Sequence, residues 1–290
     1  MALASRGVPV LDRLMQVLEA FDLNSPSLTL TQISQRAHMP MATVHRLTAD
    51  LEEHGLLERL PDRSYRIGVR LWELACLAPG ALGLRELAMP HLQDVHATIR
   101  QHTQLGILQD REVLFLERLS APDAVINMTL VGGRVPLNAS SSGLVLLAHA
   151  SPALQEEVLT SSLPRFTDRT ITAAPELRRV LASVRQEGYA AGVGYVNLEA
   201  TGIAVPVWGP NEVVIAALGV VVPSTTQRLQ PIVSVLQSAA ANISKALRAT
   251  HLPAGHAGAD DGGRYRGMIS ASLGSLELSG KDTGAPSGSG

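Results

Sequence analysis

Between Thr29 and Gly55 the spacing of polar caps, apolar residues and helix breakers leaves room for two short helices joined by a tight turn. Thr29 followed three residues later by Gln32 is a capping-box pair, in which each side chain satisfies the other's free backbone N–H at a helix start. A helix over about Leu30 to Ala37 follows. His38 and Met39 then make a turn into Pro40, whose fixed φ and missing N–H suit the first position of a helix. This next helix runs to His54 and stops at Gly55, which takes the left-handed conformation cheaply. Upstream, Val10, Leu11, Leu14, Val17, Leu18 and Phe21 make one apolar face of a first helix, closed by Asn24, Ser25 and Pro26.

The helix after the turn carries the functional argument. Val44, Leu47 and Leu51 fall on one face and point inward, leaving Met41, Ala42, Thr43, His45 and Arg46 at or near the other face. Two short helices with the second exposing small and polar residues at its N-terminal end is the pattern that reads a DNA major groove. A plain three-helix bundle shares that pattern, so the following residues matter. Leu56 to Leu60 and Tyr65 to Ile67 read as strands joined by Pro61, Asp62, Arg63 and Ser64, a hairpin with four Arg and one acid between Arg59 and Arg70. A basic hairpin after such a helix pair is a wing, placed to meet phosphates beside the groove.

Any nucleic-acid contact must be local, because the 290-residue chain has a formal charge of −2. Only Lys245 and Lys281 among its 24 cations are Lys, a bias that a source genome produces without any DNA binding. Aromatics at 3% are too few to stack single-stranded nucleic acid, and one cysteine, Cys76, excludes an internal disulfide or a multi-cysteine zinc cluster. Met1 to Gly7 carries no apolar signal core, and the longest apolar run, Val213 to Val222, is too short to span a bilayer. These features predict a cytoplasmic protein without membrane contact.

Hydrophobic residues at 46% supply a core for two domains. Pro79-Gly80 breaks the chain after a small N-terminal unit, and from about Thr250 Gly, Ser, Ala and Asp dominate, predicting a disordered tail over 251–290. In the second unit, helices are expected at Leu84 to Gln101, Ser141 to Ala150, Pro175 to Glu187 and Leu229 to Leu247. Strands are expected at Gly106 to Gln109, Val113 to Leu119, Ile203 to Val207 and Val213 to Val222. Together they suggest a mixed sheet covered by helices, an α/β layer arrangement.

No catalytic constellation stands out. The hydroxyls of Ser140, Ser141 and Ser142 lack a nucleophile elbow and suit a helix cap, and His91 and His96 are spaced off a common helix face with no carboxylate motif. Gly192, Gly194 and Gly202 do not form a dinucleotide fingerprint. No cofactor or metal is expected.

The stretch "LTLTQISQRAHMPMATVHRLTADLEEHGLLERLPDRSYRIGVRLWEL" resembles the IclR family of transcriptional regulators. "GLRELAMPHLQDV", "VGGRVPLNASSSGLVLLA", "LPRFTDRTIT", "LRRVLASVRQEGYA" and "GIAVPVWGPNEVVIAALGVVVPS" continue the resemblance in order and spacing, over about Arg6 to Leu247. It implies a winged helix-turn-helix domain over 1–68, a linker helix and hinge over 69–83, and a GAF-like α/β effector-binding domain over 84–250. It also implies a homodimer or homotetramer on palindromic double-stranded DNA, with operator binding modulated by a small metabolite. The DNA-contacting candidates are then Thr31, Gln32, Met41, Ala42, Thr43, His45, Arg46, Arg63 and Tyr65, with Met41 and Ala42 departing from the polar residues common in the family.

The effector candidates are informative through their departures. In relatives that bind small carboxylates, an Asp, a Cys and two Ser contact the ligand; those places fall on Gly192, Gly202, Gly219 and Val221 here. A small anion would lose most of its partners, and burying it unpaired costs several kcal/mol. A larger or less anionic effector is expected, with walls at Leu130, Leu137, Leu144, Tyr195 and Val221 and polar contacts from Asn138, Ser140, Ser141 or Asn197. Two alternatives stay open: a regulator that uses its second domain only to oligomerise, and an enzyme fused to a DNA-binding domain.

Overall fold

A reciprocal cap and one apolar stripe per helix build the first unit. In the computed structural model, which describes residues 9–22, 25–76, 79–127, 129–209 and 212–250, this unit contains α1 (Val10–Glu19), β1 (Ser27–Leu28), α2 (Leu30–Arg36), α3 (Met41–Glu53), β2 (Leu57–Arg59), β3 (Tyr65–Ile67) and α4 (Val69–Cys76). The expected capping box is present: Thr29 N–H donates to Gln32 Oε1 at 2.8 Å, and Thr29 Oγ1 accepts from Gln32 N–H. Val17, Ile33, Val44 and Leu47 are fully buried and meet Leu28, Leu51, Leu57 and Tyr65 in one core. Arg36 ties the α1 end to α2 through Ala20 O, Asp22 and Ser25.

The wing is a three-stranded antiparallel sheet of order β1-β3-β2. Its outer strand β1 is absent from the sequence expectation, because two residues are too few to show a period. The strand return packs tightly on the end of α3. Gly55 has φ +70°, and a Cβ on Gly68 would lie 2.1 Å from Gly55 O. Gly68 N–H also donates to Leu56 O at 2.8 Å. Gly68→Ala should therefore destabilise the first unit by about 1–3 kcal/mol through backbone overlap. Thermal denaturation checks this, and an unchanged unfolding midpoint would contradict the close approach.

The chain divides between residues 78 and 79. The second unit runs α5 (Pro79–Ile99), β4 (His102–Gln109), β5 (Glu112–Leu119), β6 (Arg134–Pro136), α6 (Ser141–Ala148), α7 (Pro152–Thr160), α8 (Ala174–Glu187), β7 (Ala190–Val193), β8 (Ala200–Trp208), β9 (Val214–Pro223) and α9 (Gln230–Thr250). Its six strands have the order β6-β5-β4-β9-β8-β7, and every described pairing is antiparallel. The expected mixed sheet is thus corrected. Neighbouring strands joined by hairpins, as β4–β5 and β8–β9 are, pair antiparallel without a crossover helix.

Period-two alternation gives the sheet two buried faces. Leu105, Ile203, Val205, Leu218 and Val220 pack against α5 and α9, while Ala204, Ala217, Val113 and Phe115 pack against α6 and α8. Several boundaries differ from expectation. α5 starts at Pro79, since a proline is tolerated in a first turn. Arg100 at φ 55° ends the helix before Gln101, so β4 begins at His102, four residues earlier than its apolar run suggested. The expected disordered tail, 251–290, lies outside the described residues.

Candidate DNA-contacting surface and ligand cleft

α3 presents its N-terminal half outward because Val44, Leu47, Thr48 and Leu51 are buried on its other side. Met41, Ala42, His45 and Arg46 are exposed and Thr43 is half-buried. Thr31 and Gln32 are exposed on the first turn of α2, although the Gln32 carboxamide is engaged in the capping box. Arg63 occupies the tip of the wing turn at φ 66°, exposed and with no carboxylate partner among the described residues. The turn is braced from within: Asp62 Oδ1 accepts from Ser64 Oγ at 2.6 Å and Ser64 N–H at 2.9 Å, and these bonds hold the Asp62 carboxyl below its ordinary pKa.

Two expectations for this surface are corrected. Tyr65 is only 4% exposed and belongs to the core of the unit, with Arg59 stacked over its ring at 5.8 Å, so it is not a free contact residue. The basic excess of the wing is also smaller than the count from Arg59 to Arg70 suggested. Arg66 is paired with Glu58 at 2.9 Å and Arg70 with Glu73 at 2.7 Å. Both acids lie just outside that window. Arg46 and Arg63, and Arg59 over the Tyr65 ring, are left as cations of this surface with no acidic partner among the described residues.

The second unit carries a cleft between the sheet and the start of α6, lined by Gln104, Thr129, Ser141, Gly192, Tyr195, Asn197, Gly202 and Val221, with Ser140 at its rim. Its free volume is about 50 Å³. Of the expected effector residues, Leu137 and Leu144 are instead core side chains, Gly219 is packed against Ile203 O, and Leu130 lies outside the lining. Asn138 is buried and structural: its Nδ2 donates to Pro164 O and Ile171 O, pinning the 164–171 segment beneath α6. Sequence reasoning missed Gln104, Ile126, Asn127, Thr129, Ala139, Val196 and Ala200.

The glycines explain the missing polar set. A Cβ on Gly192 would lie 2.6 Å from the Tyr195 ring, and one on Gly202 would lie 2.8 Å from Ser141 Oγ. Side chains absent from the strands are thus replaced by groups reaching down from a loop and a helix start. No charged residue lines the cleft. Burial, with a smaller contribution from the Glu176 charge, raises the Tyr195 phenol above its ordinary pKa, so it stays a neutral donor.

Ile126, Asn127 and Thr129 form one wall, and the described residues of the 120–130 loop are tied to β4 by neutral side chains. His102 bonds Ser120 Oγ through Nδ1 at 2.9 Å and Val125 O through Nε2, and Gln101 Oε1 accepts from Val125 N–H. Gln104 Oε1 accepts from Thr129 Oγ1 at 2.8 Å and Asn127 Nδ2 at 3.3 Å. Arg118 donates to Thr129 O.

With both geometries in place, the chain can be set beside known proteins. The model of the bacterial transcriptional regulator IclR C-terminal domain matches residues 78–245, and that of the IclR helix-turn-helix domain matches residues 10–61. The chain belongs to the IclR family. It is 31% identical to the HTH-type transcriptional regulator XynR of Escherichia coli over 209 residues, covering 71% of this chain and 83% of that one. It is 34% identical to the HTH-type transcriptional regulator BhcR of Paracoccus denitrificans, covering 64% and 67%. An IclR homologue from Microbacterium hydrocarbonoxydans, solved as a complex with 4-hydroxybenzoate, is 47% identical with a TM-score of 0.79, covering 82% of this chain and 99% of that one.

As an IclR-family member the chain is a transcriptional regulator with a helix-turn-helix DNA-binding domain and an α/β second domain, and the enzyme reading falls. Among the described residues no helix is long and apolar enough to cross a membrane, and no group of three or more His, Cys, Asp and Glu side chains could hold a metal.

The His102 tie gives this domain a pH signature. Burial lowers the imidazole pKa, opposed by the bond to Val125 O and aided by the positive charges of Arg118 and His96; the nearby Glu117 is engaged by Arg85 at 2.6 Å. A lowered pKa means the fold keeps His102 neutral while the unfolded chain takes up a proton near pH 6.5. Its contribution is complete above about pH 6.5 and is lost as pH falls through the folded value. The unfolding midpoint of the second domain should drop from about pH 7 to about pH 5, and His102→Gln should flatten that dependence. An identical slope in the variant would show that other groups carry it.

Proposed function

We propose that the chain is a one-component regulator in which the second domain binds an aromatic carboxylic acid and thereby changes the affinity of the first for a palindromic operator. The observation that carries this reading is the uncharged cleft with unpartnered donors, Ser141 Oγ and Gln104 Nε2. Its Asn, Gln, Ser and Tyr groups suit a ligand with one carboxylate and an apolar body better than a small dianion. The Microbacterium homologue, solved with 4-hydroxybenzoate, supports that ligand class.

On the DNA side, Arg46, His45 and Thr43 of α3 are the groove-reading candidates, Met41 and Ala42 offer apolar contact to a thymine methyl, and Thr31 and Arg63 face the backbone. A second copy of the chain completes the operator contact, since one recognition helix covers only a few base pairs. Val69 and Trp72, exposed at 69% and 68% on one face of α4, supply an apolar surface for pairing two first domains. A cytoplasmic location follows from this role.

The test is fluorescence anisotropy of the full chain on DNA from upstream of its own gene, with and without 4-hydroxybenzoate. A shift of operator affinity by fivefold or more, the ordinary scale of allosteric coupling, supports the reading. Unchanged affinity at saturating ligand would favour the regulator that uses its second domain only to oligomerise. On the same DNA, Arg63→Ala should weaken binding to all sequences alike and flatten the salt slope by about one charge. Arg46→Ala should cost about 1–3 kcal/mol on the operator and much less on random DNA. Equal losses on both DNAs would make Arg46 a phosphate clamp.

A further inference from the structure

We propose that Gln104 decides which aromatic acid the cleft accepts, by donating a hydrogen bond from Nε2 to a polar group on the ring position opposite the carboxylate. The inference rests on the effector reading above and assigns the two ends of the ligand.

Gln104 projects from β4 and is 3% exposed, yet it lines the cleft. Its Oε1 is held by Thr129 Oγ1 and Asn127 Nδ2, which fixes the plane of the carboxamide. The Nε2 group, a donor of two hydrogens, has no partner among the described residues and is left to the open side. Held in plane and open to the cleft, Nε2 is placed to donate to a ligand acceptor where it would otherwise donate to water.

The other end of the cleft has a different character. Ser141 is also 3% exposed, and its Oγ lies over the Gly202 position with no hydrogen-bond partner among the described residues. It is the first residue of α6, where backbone N–H groups and the helix dipole favour negative charge. A carboxylate is therefore seated at Ser141. Gln104 has no helix end behind it and no cation beside it, so it suits a neutral acceptor such as a phenol oxygen.

Spacing connects the two ends. β9 lies between β4, which carries Gln104, and β8, which carries Gly202 beneath Ser141. Two strand spacings separate these strands, and the register, with Gln104 opposite Gly219 and Gly202 opposite Val221, offsets the two positions by two residues along the sheet, about 12 Å in all. A benzene ring substituted at opposite positions bridges that distance once the walls of the cleft at Ala139, Val196 and Val221 part to admit it, since its free volume is about 50 Å³. An aliphatic diacid would set its second carboxylate against Gln104 with no positive charge to meet it.

Calorimetric titration of the full chain with benzoate, 4-hydroxybenzoate and 4-aminobenzoate tests the assignment. Wild type should bind 4-hydroxybenzoate about tenfold tighter than the other two, because only the phenol offers Nε2 a good acceptor. Gln104→Leu should bring the three affinities together. Gln104→Glu keeps acceptors for Thr129 and Asn127 but replaces the donor. It should raise 4-aminobenzoate relative to 4-hydroxybenzoate about tenfold compared with wild type. Ser141→Ala should weaken all three ligands by the same factor. Equal affinities in wild type, or a common loss for all ligands in both Gln104 variants, would overturn the assignment and leave Gln104 a tether of the 120–130 loop. Wild type that binds none of the three would instead overturn the effector reading, and this proposal with it.

Discussion

Two polar side chains that face the cleft, with no hydrogen bond at Ser141 Oγ or Gln104 Nε2 among the described residues, set the terms for the second domain. The surrounding architecture holds both in place. Asn138 pins the segment that closes under α6, Ser140 caps that helix through Gly143 N–H, and Thr129 and Asn127 fix the Gln104 amide. The strand glycines complete the arrangement, since any side chain at Gly192 or Gly202 would displace Tyr195 or Ser141.

The two domains meet charge in opposite ways. The cleft is lined by uncharged side chains, so on the proposed reading its selectivity rests on geometry and on the start of α6. The first domain meets a polyanion, and it does so with few free cations. Glu58 and Glu73 engage two wing arginines, Arg59 lies over Tyr65, and only Arg63 projects from the wing tip. With α3 as the proposed reading helix, sparse unpaired charge would limit indiscriminate binding to DNA and leave more of the discrimination to α3.

Much of the first domain was legible because its signals are local. Thr29 with Gln32, Pro40 and Gly55 each act within four residues, and the helices end within two residues of the expected places. Tyr65 was misassigned because a three-residue strand has no readable alternation and its partners on α1–α3 are distant in sequence. The apparent charge of the wing failed for a related reason, as the pairing acids lie outside the basic segment. In the cleft, Ser140, Ser141, Tyr195 and Asn197 were found through the family pattern, whereas Gln104, Asn127 and Thr129 come from a strand and loop brought in by the β4–β9 pairing. One signal for them was present: His102, Thr103 and Gln104 are polar residues leading into an apolar strand, and buried polar residues in such a place need a reason.

On the proposed reading, the second domain meets its ligand in the cleft over Gly192 and Gly202. A second surface hollow, beside Trp208, His149 and Arg185, offers a competing place for an aromatic acid. A crystal structure of the full chain grown with 4-hydroxybenzoate separates the two most directly. The account predicts the ligand between α6 and β4, its carboxylate within hydrogen-bond distance of Ser141. Density for the ligand beside Trp208, with the Ser141 cleft unchanged, would contradict it.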